Sequence, residues 1–598
     1  MKKTIYNKIR CAAVATLGVL ALSSCNDFLT ITPTDKTVLE DYWKSKDDVD
    51  QMVNGAYKYL TAGGIIERFI VWGEFRSDEV VKYPGRTSTD LDNIAAVNLL
   101  PSIGYNSWAD FYKVINTCNL VLEHAPAVME IDPKFTEGDF KTVRAQMLAL
   151  RSLCYFYLVR TFRDVPYTTE AFENTDQVLR GPQYSPSVVL QHCIDDLLEA
   201  EKSIYRYGTF GTSDWRNYGL FTRDAVDALL ADIYLWRGSM THNASDYQLC
   251  VDYADKVIQS RNNFYNANNT SLSAGSSSST NIYHLYSGSV AMENIFQNGN
   301  SRESIFEIQF DGSSNSNEKL ASYYYQAEEK KSDPGIFSGS KIMGSIEDNA
   351  SPIAENSMFS TKNDYRYWNS CYKVDNADET NFKVRKMVEN IESTISPEDD
   401  KTKLSEKTSR SFTNVKQNWI VYRLTDVMLM KAEALTQLAG ENELQLRQAF
   451  NIVKVVNDRS LYLVSDAEQV KKDSLKFGDF STQEKMEKLC LQERGRELCF
   501  EGKRWYDMIR YCYRHMTGVD ATRMLYEIDP AGGRDSYPKL DSYFITLMGR
   551  KYSTGGDAVK VKMLNEAYLY WPVQQREIKA NPDIHQNPVY IETKSTER

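Results

Sequence analysis

The chain has 598 residues, 42% hydrophobic and 25% charged, a balance that excludes a disordered or collagen-like protein. Its formal charge of −11 at pH 7 excludes the basic footprint of a nucleic-acid binder and suits a neutral ligand. The six histidines lie far apart, no C-x-x-C pair occurs, and neither a G-x-S-x-G elbow nor a phosphate-cradling loop is present. A binding protein is expected, with no catalytic residue, no metal site and no cofactor.

The cations Lys2, Lys3, Lys8 and Arg10 precede an apolar run over residues 11–22, CAAVATLGVLAL. That run fits a secretory h-region and is too short to span a bilayer. Leu22-Ser23-Ser24-Cys25 then reads as a bacterial lipobox. Residues 1–24 are expected to be a cleaved signal peptide, and Cys25 the lipidated N-terminus of a tether over 25–45. Cleavage removes four cations and no acids, so the formal charge moves from −11 to −15. Acyl chains bury methylenes at about 0.8 kcal/mol each, which anchors a protein to membrane lipid without spanning it. Cys11 is lost and Cys25 acylated. The eight cysteines left are scattered, several within apolar helical patterns, so no disulfide framework is expected.

Residues 46–262 are expected to be helical. In VRAQMLALRSLCYFYLVRTFRDVPY, residues 143–167, apolar side chains lie on nearly all faces, as in a helix packed between neighbours, and Pro166 is its expected end. In FTRDAVDALLADIYLWRG, residues 221–238, Thr222 is the expected N-cap and Gly238 the stop. From 263 to 413 serine, asparagine and glycine become dense and the periodicity fades, which marks a loop-rich insert and candidate ligand-binding region. One strand-like piece, ESIFEIQF at 303–310, alternates within it. Helical pairs return over 414–512. In residues 425–459 Gly440 divides two helices, and Ala432, Ala434, Ala439 and Ala449 allow their backbones to approach. Residues 513–598 read as an irregular region wrapping the scaffold. The fold class is mostly α: a tetratricopeptide-like superhelix of helical pairs with a long loop-rich insert and short β elements.

Two C-terminal motifs carry the most specific text: ERGRELCFEGKRWYDMIRY at 493–511 and YWPVQQREIKANPDIHQNPVY at 570–590. Within the first, Glu493, Arg494, Glu497, Glu501 and Arg504 stand at three- and four-residue steps, so an ion network along one helix face is expected. Gly502 would allow close contact beside Trp505. The second, with Pro572, Pro582 and Pro588, reads as a rigid wrap whose side-chain amides satisfy loop backbone. Both motifs, together with WGEFRSDEV at 72–80 and WADFYKVINTCNLVLEHA at 108–125, resemble the SusD/RagB family of Bacteroidetes surface lipoproteins. The resemblance runs through the mature chain. It implies a helical superhelix on the outer face of the outer membrane, capping a SusC-like TonB-dependent β-barrel transporter and handing it an oligosaccharide. A RagB-like peptide lid and a protein-only tetratricopeptide adaptor are the alternatives. Thirty-eight tyrosines and nine tryptophans, many in loop-like sequence, favour the sugar reading, because a pyranose C–H face stacks on such rings.

Candidate ligand contacts come first from the loop 77–93, which offers Asp78, Tyr83, Arg86 and Asp90. The resemblance implies acid and arginine contacts to sugar hydroxyls there. The stretch DYRYWNSCY adds Tyr365, Tyr367 and Trp368, with alternation setting both tyrosines on one side and Arg366 and Trp368 on the other. Tyr324 and Trp215 complete the set. A structural role is open for each of them: Asp78 and Arg86 bracing the loop, and the rings covering the core.

Overall fold

The computed structural model describes residues 42–83, 86–173, 181–268, 283–325, 335–344, 357–373, 382–387, 391–394, 405–408, 414–461, 471–518, 538–552 and 555–590. The lipobox, Cys25 and most of the tether lie outside these residues. So do Pro84, Gly85 and much of the serine-rich part of the insert.

Helix hairpins build the frame, and two of the helices start from a capping box. Helix Lys46–Leu60 opens with a capping box, in which Ser45 accepts from the Asp48 N–H and Asp48 from the Ser45 N–H. Helices Ala109–Ile131 and Glu137–Phe162 form a long hairpin, the second opened by a Thr136–Asp139 box. Every residue from Ala145 to Phe162 is buried, as the all-round apolar pattern requires. This helix ends at Phe162, before the expected Pro166, because Arg163 turns to φ 68° and Val165–Pro166 forms a short strand.

Helix Arg223–Thr241 begins after Thr222, which makes no side-chain capping bond. It runs past the expected stop at Gly238 to a left-handed His242. Gly238 serves the packing instead: a Cβ there would stand 3.2 Å from Asp246 and Tyr247 of the next helix, Ala244–Ala267. Leu424–Ala439 and Glu443–Asp458 form the pair divided at Gly440, which has φ 52°. Helix Ala244–Ala267 packs directly against Leu424–Ala439. The segment between them therefore leaves a continuous helical stack and re-enters it beside its point of departure.

Short strands stitch this excursion to the frame. Ser304–Ile308 pairs antiparallel with Trp419–Arg423 at its base. All five residues of the first strand are buried, so its alternation does not define a wet face. Glu307 is held inside by the Asn300 N–H at 2.9 Å and the Asn418 amide at 2.7 Å. Further out, a four-stranded sheet runs in the order Val80–Lys82, Phe337–Gly339, Phe382–Val384, Cys371–Lys373. The C-terminal motif is bonded back to the frame, and the region before and within it holds the helices Ser542–Arg550, Gly556–Lys562 and Gln575–Ala580. Its Trp571 N–H donates to Thr161 O at 2.9 Å, and its Gln586, Asn581 and Asn587 amides bond the backbone of Val573, Gly181 and Ala567. The eight described cysteines are buried free thiols. Among the described residues no helix is long and apolar enough to cross a membrane.

Candidate functional site

The 493–511 motif does not lie along one helix. It folds as two, Gln483–Leu498 and Arg504–His515, broken at a turn where Phe500 and Gly502 take φ 65° and 73°. The expected ion network exists, but mostly between elements rather than along a face. Glu497 accepts from Arg423 at 2.7 Å, from Arg366 at 3.0 Å and from Arg459. Glu493 accepts from Arg366 at 2.7 Å and Arg496 at 2.7 Å. Glu501 meets Arg423 at 2.8 Å and Lys386 at 2.7 Å, while Arg494 pairs with Asp426 at 2.8 Å and Asp507 at 2.9 Å. Burial alone would raise the Glu497 carboxyl, but Arg459, Arg423 and Arg366 outweigh it and hold the group well below the usual carboxylate range. A carboxylate locked in this way is a packing element, not an acid or base.

Above this hub lies a small open cleft of about 40 Å³. The helix Gly288–Met292 and the helix Tyr365–Ser370 form its walls, Phe296 adds a ring, and Arg366, Lys386, Arg423, Arg459 and Glu497 make its floor. Each of the four cations is already engaged by carboxylates or carbonyls. Lys386, for example, donates to Glu497 O at 2.6 Å and Cys499 O at 3.1 Å. The floor is thus charge-balanced. Sequence reasoning found its acids but missed its cations, because Arg459, Arg423 and Arg366 stand 38, 74 and 131 residues from Glu497.

The structure separates the candidate ligand residues into three kinds. Asp78, Tyr324 and Tyr367 are inside. Asp78 does not pair with Arg86: its two oxygens face Arg504 at 2.8 and 3.0 Å and Arg550 at 2.9 Å, at 0% exposure. Burial would raise its carboxyl, and the two arginines reverse this and hold it low. Buried there, neither oxygen is open to a sugar hydroxyl. Tyr324 is buried edge-on to Phe500, and Tyr367 packs edge-on to Phe359 and Trp368. The ring at 324 is core because its helix, Glu318–Tyr324, lies against Gly63–Ile70.

Tyr83, Arg86, Asp90, Tyr365 and Trp368 are half-buried. Asp90 accepts from the Gly104 N–H at 3.2 Å, and the Trp368 indole N–H donates to Lys362 O at 2.8 Å. The expected alternation at 365–368 is replaced by a helix, capped by Asp364, which accepts from the Arg366 N–H at 2.8 Å. The helical turn sends Arg366 to the hub and sets Tyr365 and Trp368 on one face, three residues apart. Through the sheet order, Tyr83 follows one edge strand and Trp368 precedes the opposite one. Three strand spacings of about 4.8 Å put roughly 15 Å between these edges.

Trp215 alone among the candidates is exposed, at 51%. Its ring lies against Gly219, where a Cβ would stand 2.8 Å from the indole and 2.6 Å from the Gln309 side chain. Around Gln309 an amide cluster continues, donating to Asn300 at 2.9 Å and accepting from Asn418 at 3.2 Å. An open indole beside fixed amides can stack an apolar ring face and orient hydroxyls.

Comparison with known proteins agrees with this architecture. Residues 27–235 match the family model described as "Starch-binding associating with outer membrane", and residues 339–590 match the model described as "SusD family". Two SusD-like proteins of Formosa agariphila are 26% and 25% identical to the chain. The first covers 85% of this chain and 92% of the relative, the second 84% and 90%. A SusD superfamily crystal structure from Bacteroides thetaiotaomicron superposes with a TM-score of 0.58 at 22% identity, covering 92% of this chain and 99% of the other. A SusD homolog from the same organism gives 0.62 at 18%, with 92% and 99% covered.

Proposed function

Because this chain is a SusD-like protein, we propose that it is a lipid-anchored outer-membrane receptor that captures an oligosaccharide without catalysis and delivers it to a SusC-like TonB-dependent transporter. The match of residues 27–235 to a starch-binding, outer-membrane-associating family carries this reading. Trp215 lies inside that matched segment and supplies the open ring that stacking on a sugar needs. In this proposal Trp215 is a stacking platform, and Tyr83, Arg86, Asp90, Tyr365 and Trp368 are further candidate contacts. Cys25 supplies the anchor.

Titration of the full-length protein in mild detergent with a panel of oligosaccharides tests the reading. A Kd in the micromolar to millimolar range is expected, about −4 to −8 kcal/mol, with no product formed. A receptor that hands its ligand on gains nothing from slower release. If peptides bind and no glycan does, the RagB-like peptide lid replaces this proposal. Mild extraction should also bring a large β-barrel down with the protein, and a protein that runs alone would be a free-standing surface binder.

A further inference from the structure

The helix Ala109–Ile131 carries Glu123 and His124 side by side, and the fold brings Glu173 to meet them. The imidazole Nε2 lies 3.0 Å from a Glu173 oxygen. One ligand atom from each of the three side chains falls within 4.8 Å of the others. Neither partner reaches the other by chance of a floppy loop. The segment before Glu173 is strapped along the helix: the Asn116 amide accepts from the Phe172 N–H at 2.7 Å and donates to Phe172 O at 2.9 Å. Asn119 adds bonds to Thr168 O at 3.3 Å and Glu170 O at 3.0 Å, and is itself held by Arg151 at 2.8 Å. On the other side, the buried Trp43 stacks on the His124 ring, with centroids 4.9 Å apart at 18°. The ring plane and the strap are both fixed before any ion arrives.

We propose that Glu123, His124 and Glu173 form a divalent transition-metal site of the zinc class, completed by water. One neutral imidazole and two carboxylates neutralise a dication, and this mixed nitrogen and oxygen set suits zinc better than calcium or magnesium. Bonds of about 2.0–2.2 Å put donors roughly 3–3.5 Å apart around a tetrahedral ion, so a small side-chain adjustment closes the site. The bound ion would clasp the strap to the helix, and through the Trp43 stack it would report on the start of the folded body, next to the tether. Glu123 and Glu173 are exposed and His124 is half-buried, which leaves room for the water.

The test is zinc titration of the full-length protein after chelation, followed by calorimetry and by tryptophan fluorescence. One ion per chain is expected, with a Kd of micromolar or tighter, a higher Tm and a change in emission. His124→Asn and Glu173→Gln should each weaken binding at least tenfold, and Glu173→Gln, which leaves the Trp43–His124 stack in place, should keep the metal-free Tm and circular dichroism unchanged. Trp43→Phe should remove most of the emission change but keep the stoichiometry. The proposal is overturned if zinc does not bind, if both variants bind as wild type does, or if calcium competes at equal concentration. Should either variant fail to fold, Glu123→Gln supplies the same comparison from the helix side.

Discussion

Asp78 shows how a residue that reads as a ligand contact can be an internal strut. Its carboxylate joins Arg504 of the C-terminal motif to Arg550, more than four hundred residues along the chain. Asp78→Ala should cost about 3–5 kcal/mol, because two buried guanidinium groups lose their counter-charge. Urea denaturation measures this, and a cost below about 1 kcal/mol would put the pair among ordinary surface bridges. The two tryptophans separate in the opposite sense. Trp215→Ala should leave stability within about 0.5 kcal/mol and weaken oligosaccharide binding by about 1 kcal/mol, roughly fivefold. Trp368→Ala should lower stability by about 2 kcal/mol, since its ring packs against Tyr367 and its N–H is bonded. Measuring Tm and affinity on both variants decides which ring is platform and which is support.

Glu74 adds a pH dependence. Its buried carboxyl is pushed up to about 8, chiefly by burial, against the opposing N–H bonds from Lys503 and Gly502. Between the ordinary carboxylate range and pH 8 the folded state holds a proton that the unfolded chain has released. Stability therefore falls as pH rises through that window, and the loss is complete above it. Glu74→Gln removes this titration. The variant should gain on the wild type by on the order of a few kcal/mol between pH 5 and 8, read from unfolding at several pH values. A constant difference across that range would mean the carboxyl is already ionised.

At the scale of elements, the turn between Leu498 and Arg504 decides the shape of the hub. Gly502 takes φ 73°, and a Cβ there would stand 2.8 Å from Phe69 O. Gly73 approaches from the other side, where a Cβ would lie 2.1 Å from Gly502 O. Two glycines face to face let the Val71–Phe75 turn of π-helix deliver Glu74 onto the Gly502 and Lys503 N–H groups. Gly502→Ala should destabilise by about 3 kcal/mol, combining backbone strain with overpacking against backbone that cannot swing away. A lower urea midpoint at unchanged slope is the expected signature. The helical pairing itself was legible in the chain: Gly440 divides its two helices, and the run over 145–162, apolar on nearly all faces, is buried throughout. The break inside 493–511 was not, because arginines and glutamates at helical spacing look the same whether they pair along one helix or across several. The alternation at 365–368 misled for a related reason, since four residues fit a strand or one helical turn equally well.

At the scale of the molecule, the helical stack is continuous through the Ala244–Ala267 and Leu424–Ala439 contact, and the insert is an excursion pinned by strands and by the hub. The lipid-anchored receptor proposed here makes a direct prediction for the whole protein. Cys25→Ala should move it out of the membrane fraction, and mass spectrometry of the wild type should find the N-terminal peptide starting at an acylated Cys25. An unmodified peptide with unchanged fractionation would remove the anchor from the proposal.

The chain by itself determined what depends on near neighbours in sequence: the glycine that divides a helix pair, the helix with apolar residues on nearly all faces and the family motifs. Helical periodicity is a local property, so one strand of text carries it. Only the tertiary structure decided which charges are internal and which rings are open. Arg366 finds Glu497 across 131 residues, Glu173 finds His124 across 49, and Trp215 stays open because a glycine and an amide back it. Burial of a loop side chain is set by what packs over it from distant parts of the chain, and no spacing within the loop encodes that.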